Sequence, residues 1–123
     1  SWEGALCAGK YGLDNLAVIV DRNKYQSTDR GTEMVMPLEP LADKFTAFGF
    51  AVRRIDGHDI GQILDACATL PVESGRPSCI IADTVKGKGV SFLESEHIHC
   101  GRFGRDYDPK ILDLAIAELE GSS

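Results

Sequence analysis

The chain lacks most of the features that announce a function unaided. Four cysteines occur among 123 residues, and none share the C-x-x-C spacing of zinc ribbons and redox motifs. No apolar run approaches the roughly 20 residues that a membrane-spanning helix needs. No basic segment followed by an apolar one marks a secretory leader. Lys and Arg number 13 against 19 Asp and Glu, for a net charge of −6. The bases are scattered, which argues against a nucleic-acid-binding surface. Neither G-x-x-x-x-G-K-[ST] nor G-x-G-x-x-G is present, so the P-loop and dinucleotide fingerprints are both missing. No Ser/His/Asp or Cys/His set stands at a recognisable spacing.

What remains is ordinary globular composition, 43% apolar and 26% charged, in a length that suits one domain. Cys7, Cys67 and Cys79 fall in apolar patterns, where a free thiol behaves as a small hydrophobe. The expectation is reduced cysteines and a cytoplasmic protein.

The hydrophobic pattern alternates between helix and strand periods. WEGALCAGKY (2–11) predicts a helix with Trp2, Leu6 and Gly9 on one face, whose two glycines permit close packing, and Gly12 predicts its stop. LAVIV (16–20) is apolar throughout, the pattern of a strand covered on both faces. Residues 24–37 read as a long loop, a length often reserved for function. Leu38, Leu41, Phe45 and Phe48 predict a helix with Pro40 near its start and Gly49 at its end. Residues 50–55 predict a strand. Asp59 suits the cap of a helix facing inward with Ile60, Ile63, Leu64 and Cys67. SCIIA (78–82) predicts a second buried strand, and Lys86-Gly87-Lys88-Gly89 an irregular segment. Asp108 and Pro109 open a last helix with Leu112, Ala115, Ile116 and Leu119 inward, so that 105–123 reads as a terminal linker and helix. Strands alternating with helices imply an α/β fold, a parallel sheet flanked by helices.

Four stretches could carry chemistry. In VIVDRNKYQ (18–26) an apolar strand runs out into Asp21, Arg22 and Asn23, at the end of a strand where parallel sheets bind ligands. Carboxylate and amide oxygens are hard donors suited to Mg²⁺ or Ca²⁺, although the same residues cap turns well. His97-Ile98-His99-Cys100 could supply three zinc ligands, but alternate residues of an extended segment face opposite ways; a His lining a cleft is the competing reading. Lys86–Gly89 offers glycines and charge to a phosphate, or forms a solvated turn. In Asp56-Gly57-His58-Asp59, a tight turn accounts for His58 better than catalysis does.

Taken in order, WEGALCAGKYGLDNLAVIVDRNKYQ, MPLEPLADKFTAFGF, DGHDI and TVKGKGVSFLE resemble the amino-terminal part of transketolase. More narrowly, they resemble the separate amino-terminal subunit of two-gene transketolases and transketolase-like enzymes. The resemblance runs from Ser1 to about Gly101, with the blocks in the right order and spacing. It implies the diphosphate-binding domain of a thiamine diphosphate enzyme that transfers a two-carbon ketol unit from a ketose phosphate to an aldose.

In that family a G-D-G motif begins a stretch that closes on an Asn. The motif's Asp, the Asn side chain and the carbonyl two residues later bind the divalent ion. The resemblance assigns these last two roles to Asn23 and to Tyr25, as metal and cofactor ligands for Mg²⁺ (or Ca²⁺) and thiamine diphosphate. No G-D-G occurs in this chain. The family's active-site His after the K-G-K-G segment aligns with Cys100, with Gly101 in register, and a one-residue shift hands the catalytic and cofactor-binding role to His99. The acidic residue that activates the cofactor's aminopyrimidine belongs to another domain type. The resemblance therefore implies a partner, the C-terminal subunit carrying the pyrimidine-binding domain, in a homodimeric or heterotetrameric assembly. The missing G-D-G and the Cys100 position also leave open a non-catalytic module that binds a partner without cofactor.

The chain starts Ser1-Trp2-Glu3, without Met and within a helical pattern, so the expectation is that 1–123 is the later portion of its domain. Mass spectrometry of the protein isolated from its source should then show a polypeptide heavier than 13.3 kDa.

Overall fold

The computed structural model describes residues 1–26, 31–95 and 109–121. Helices and strands alternate as α1 (Trp2–Lys10), β1 (Ala17–Arg22), α2 (Thr32–Val35), α3 (Leu41–Ala47), β2 (Ala51–Asp56), α4 (Ile60–Ala68), β3 (Ser78–Asp83), α5 (Ser91–Ser95) and α6 (Pro109–Gly121). They fall into two units, Ser1–Arg22 with Leu38–Thr84, and Asn23–Pro37 with Val85–Ser123.

The first unit holds a parallel sheet in the order β1-β3-β2. Ala17 and Ala51 both register with Ser78, and Arg22 and Asp56 both register with Asp83. The last strand in sequence is therefore the central one, and residues 78–82 are buried. Because neighbours along a strand face opposite sides, β3 feeds two cores. Cys79 and Ile81 join Ala5 and Ala8 of α1, Leu41 and Phe45 of α3, and Phe50. Ile80 and Ala82 join Ile55 and Ala66 of α4. Burial lifts the Cys79 thiol to about 11, so it is an inert part of the core.

Two left-handed glycines end the helices on the larger core. Gly12 (φ +57°) follows α1, with Gly12 N–H donating to the Gly9 carbonyl and Leu13 N–H to that of Ala8. Gly49 (φ +93°) follows α3 in the same way, with Phe50 N–H donating to the Phe45 carbonyl. That wrapped end brings Phe50 against Phe45, ring centroids 5.3 Å apart and edge to face, the apolar contact such caps favour. Arg76 holds the same turn from outside, through hydrogen bonds to the carbonyls of Gly49 (3.0 Å) and Phe50 (2.6 Å).

Several expectations are corrected. β1 begins at Ala17 and continues through Asp21 and Arg22, and its residues are not covered on both faces: Ile19 is 63% exposed. The reason is position, since β1 lies at the edge and the small α4 cluster reaches only β2 and β3. On α4 the inward residues are Ala66, with Ile63 partly buried, while Ile60, Leu64 and Cys67 are exposed. Cys7 is exposed too, as is Leu6, because α1 turns Ala5 and Ala8 inward. Helix α3 starts at Leu41, so Leu38 lies before it, while Pro40 stands at its start as expected, as the cap residue. Residues 24–37 include the short helix α2. In the second unit α6 buries Ala115, whereas Leu112, Ile116 and Leu119 are exposed. Asp108 lies outside the described residues.

Gly9 bears out the close-packing expectation and Gly4 does not. A Cβ on Gly9 would lie 1.7 Å from the Phe48 carbonyl oxygen, whereas one on Gly4 would meet nothing within 4 Å. Chemical denaturation of the polypeptide carrying this chain should show Gly9→Ala destabilised by about 3 kcal/mol or more, since backbone must move. Gly4→Ala should be stabilised by about 0.5–1 kcal/mol through helix propensity.

Candidate functional site

Asn23 opens a turn in the second unit. Its side-chain Oδ1 accepts the Tyr25 N–H at 2.9 Å, the local bond that makes Asn a good turn residue. Lys24 between them has φ +67°, a left-handed backbone unusual for a residue with a side chain. The turn is pinned at its base: Thr32 N–H donates to the Lys24 carbonyl at 2.8 Å and its hydroxyl to the same oxygen at 3.3 Å. Tyr25 also pairs with Gly31 in an antiparallel bridge. One short, held segment thus carries both the Asn23 amide oxygen and the Tyr25 carbonyl.

As donors these are two neutral, hard oxygens, the type that Mg²⁺ and Ca²⁺ accept. An amide oxygen has two lone pairs, so the turn bond and a cation are compatible on one atom. Neither donor brings charge, and among the described residues no group of three or more His, Cys, Asp or Glu could hold a metal. By their chemistry the two oxygens would fit a cation only as the neutral part of a site that also had charged ligands.

At the carboxyl ends of the strands, within the first unit, lies an ion-pair network that spacing does not reveal. Arg22 is 2% exposed, and its Nε donates to Glu39 Oε1 at 3.0 Å. Glu39 Oε2 accepts the Leu41 N–H at 2.9 Å, and Oε1 also receives Arg54 Nη2 at 3.4 Å. Arg54 grips Asp83 through two bonds of 2.6 and 2.8 Å, the fork geometry of strong guanidinium–carboxylate pairs. The Leu41 N–H, followed by the two guanidiniums, holds the Glu39 carboxyl down to about 2. Asp83 and Glu39 push the Arg54 guanidinium up. Asp21, on the opposite face of β1, accepts the Thr84 hydroxyl. The paired side chains of the network are 15 to 29 residues apart; only the Glu39-Pro40-Leu41 helix entrance hints that Glu39 is structural.

The other candidates resolve as local structure. His58 donates its backbone N–H to Asp56 Oδ1 at 2.9 Å, and Asp59 caps α4 by accepting the Gln62 N–H at 3.0 Å. That backbone bond lowers the Asp59 pKa. Gly57 is required there, because a Cβ would lie 2.4 Å from Thr84 Cγ2. In the Lys86–Gly89 segment the Gly89 N–H donates to Glu94 Oε1 at 2.9 Å, and Lys88 Nζ lies 3.8 Å from Glu94 Oε2. A carboxylate of the chain thus takes the Gly89 N–H and stands beside Lys88, and the segment is a turn into α5. His97, His99 and Cys100 lie outside the described residues.

Glu39 generates a pH test. Its folded pKa is depressed, so the stability it contributes is fully present above the ordinary value of 4.5 and lost as pH falls through about 2. Glu39→Gln should therefore lower the melting temperature at pH 7, and the gap from the parent should close as pH falls from 4.5 towards 2.

A family model described as "Transketolase, thiamine diphosphate binding domain" matches residues 1–109. The 6-deoxy-6-sulfo-D-fructose transketolase subunit SqwG of Clostridium sp. (strain MSTE9) is 40% identical over 97% of this chain and 42% of its own length. An apulose-4-phosphate transketolase subunit of Actinobacillus succinogenes is 40% identical over 76% of this chain and 33% of its own. The crystal structure of transketolase from Campylobacter jejuni superposes with a TM-score of 0.78 at 27% identity, over 98% of this chain and 18% of that one. The chain thus spans less than half the length of these relatives. On the match over 1–109 and the shared parallel sheet, it belongs to the transketolase family, within the thiamine diphosphate-binding domain.

Proposed function

We propose that this chain is part of the amino-terminal subunit of a thiamine diphosphate-dependent transketolase, one that moves a two-carbon ketol unit from a ketose phosphate to an aldose. The observation that carries the reading is the Asn23–Tyr25 turn, which presents two hard oxygens directly after a strand of a parallel sheet. Its role is to hold Mg²⁺ (or Ca²⁺), and through it the cofactor's diphosphate. When bound, the cofactor supplies an electron sink for cleavage of the bond beside a carbonyl.

The chain's own contribution is positional. Asn23 and the Tyr25 carbonyl offer a fixed pair of ligands, and the Thr32 bonds to the Lys24 carbonyl keep that pair from rearranging. Mg²⁺ demands near-ideal octahedral geometry, so a pre-set pair lowers the cost of assembling the site. A charged ligand is still needed; the family's G-D-G carboxylate, absent here, has that role in this proposal. His99 is the proposed active-site histidine near diphosphate and substrate, by its place after the K-G-K-G segment.

Relatives named as transketolase subunits support a split enzyme, with a partner that supplies the pyrimidine-binding domain in a dimeric or heterotetrameric assembly. They favour catalysis over a non-catalytic partner-binding module. A cytoplasmic setting is part of the same proposal, on the cysteine spacing of the sequence.

The test is calorimetric titration of Mg²⁺ and thiamine diphosphate into the complete polypeptide with its partner. Asn23→Ala should weaken Mg²⁺ by about tenfold or more, the scale seen when metal-site geometry is disturbed. Parent-like affinity in that variant would remove Asn23 from the site.

A further inference from the structure

We propose that the outer edge of β1 and the apolar groove beside it receive a further strand of the same polypeptide, parallel to β1 and leading into α1. The observations lie within the first unit and are independent of the Asn23 turn. At either end of β1 the carbonyls of Leu16 and Arg22 accept the N–H groups of Ser78 and Thr84. Backbone groups alternate in direction along a strand, so Ala17 and Ile19 point theirs away from β3. Among the described residues no strand pairs with that outer edge, and an open edge is a template for another strand. Its side chains are apolar on both faces. Val18 and Val20 line a groove of about 520 Å³ together with Trp2, Leu41, Phe45 and Phe50. Ile19, on the opposite face in register with Ile80, is 63% exposed. The lining of the groove is apolar apart from Ser1. It lacks the convergent polar groups that orient a small ligand, and its chemistry suits the apolar side chains of a protein segment.

The hand of the crossovers selects the occupant. Helices α1 and α3 pack on one face of β3, against Cys79 and Ile81, and α4 packs on the other. From β1 through α3 to β2 the chain crosses the sheet on the first face, and through α4 to β3 it returns on the second. Both crossovers have one hand, as the right-handed rule for parallel strands requires. A strand that reaches β1 through α1, on the same face as α3, must by that rule lie beside β1 on the side away from β3. That side is the open edge. The chain spans 42% of one curated relative and 33% of another, which leaves length for such a segment in a polypeptide of their size. The strand carries apolar side chains on both faces, one set for the groove and one beside Ile19.

Residue-resolved amide exchange in the complete polypeptide is the test. The Ile19 N–H should exchange about 100-fold or more slowly than in an unstructured peptide, as should the Ile81 N–H inside the sheet. That protection should persist through about 100-fold dilution and without the partner subunit. Exchange at Ile19 within about tenfold of the unstructured rate, with Ile81 protected, overturns the proposal. Protection at Ile19 that dilution removes assigns the edge to a second copy, and protection that needs the partner assigns it to that subunit; either result overturns the proposal. If Ile81 also loses protection without the partner, the unit has unfolded, and Ile19→p-benzoylphenylalanine in the assembled complex decides. Photo-cross-linking should then join this position to a peptide of its own chain outside 1–123. Capture of a second copy, told apart by isotopic labelling, of the partner, or of residues within 1–123 alone overturns the proposal.

Discussion

Everything in the first unit hangs on β3. It pairs in parallel with both other strands and is buried over five consecutive residues. Its alternating side chains supply both cores, Cys79 and Ile81 on one face, Ile80 and Ala82 on the other. A strand in that position must be apolar on both sides, because helices cover each face and water reaches neither. Its last residue, Asp83, is the point at which the apolar interior stops and a charged network begins. The same strand that closes the core thus ends in a carboxylate that organises the strand ends.

That transition explains why the polar residues after Val20 are not a frayed strand end. Asp21 and Arg22 remain within β1, one bonded to Thr84 and the other to Glu39. A buried guanidinium is costly unless it is paired and hydrogen-bonded. Glu39 meets that demand from just before α3, and the Leu41 N–H and Arg54 stabilise its charge. Only at Asn23 does the chain leave the sheet. The left-handed Lys24 that follows is a conformation uncommon for a residue with a side chain, and it separates the Asn23 and Tyr25 oxygens proposed above as cation ligands.

Exposed apolar residues on the first unit have a related cause. A three-stranded sheet with one short helix on a face cannot cover its edge, so Ile19 is exposed, as are Ile60 and Leu64 of α4. The pattern of these segments reads as interior, and within this chain it is not. The chain spans less than half of the relatives it matches, so burial here counts only what this chain covers.

By itself the sequence determined the element types, the parallel α/β class, the helix stops at Gly12 and Gly49, the Asp59 cap and the Asn23 turn. These depend on local periodicity, on the left-handed freedom of glycine and on side chains that bond their own backbone. Tertiary structure decided the rest. It set the strand order, which places the last strand at the centre, and it chose which helix face turns inward. On α4 it turned Ala66 inward beside the expected Ile63, and left Ile60, Leu64 and Cys67 exposed. It also assembled Arg22, Glu39, Arg54 and Asp83, whose partners lie 15 to 29 residues apart. No local pattern encodes such a network, since it exists only once parallel pairing has brought the ends of three strands together.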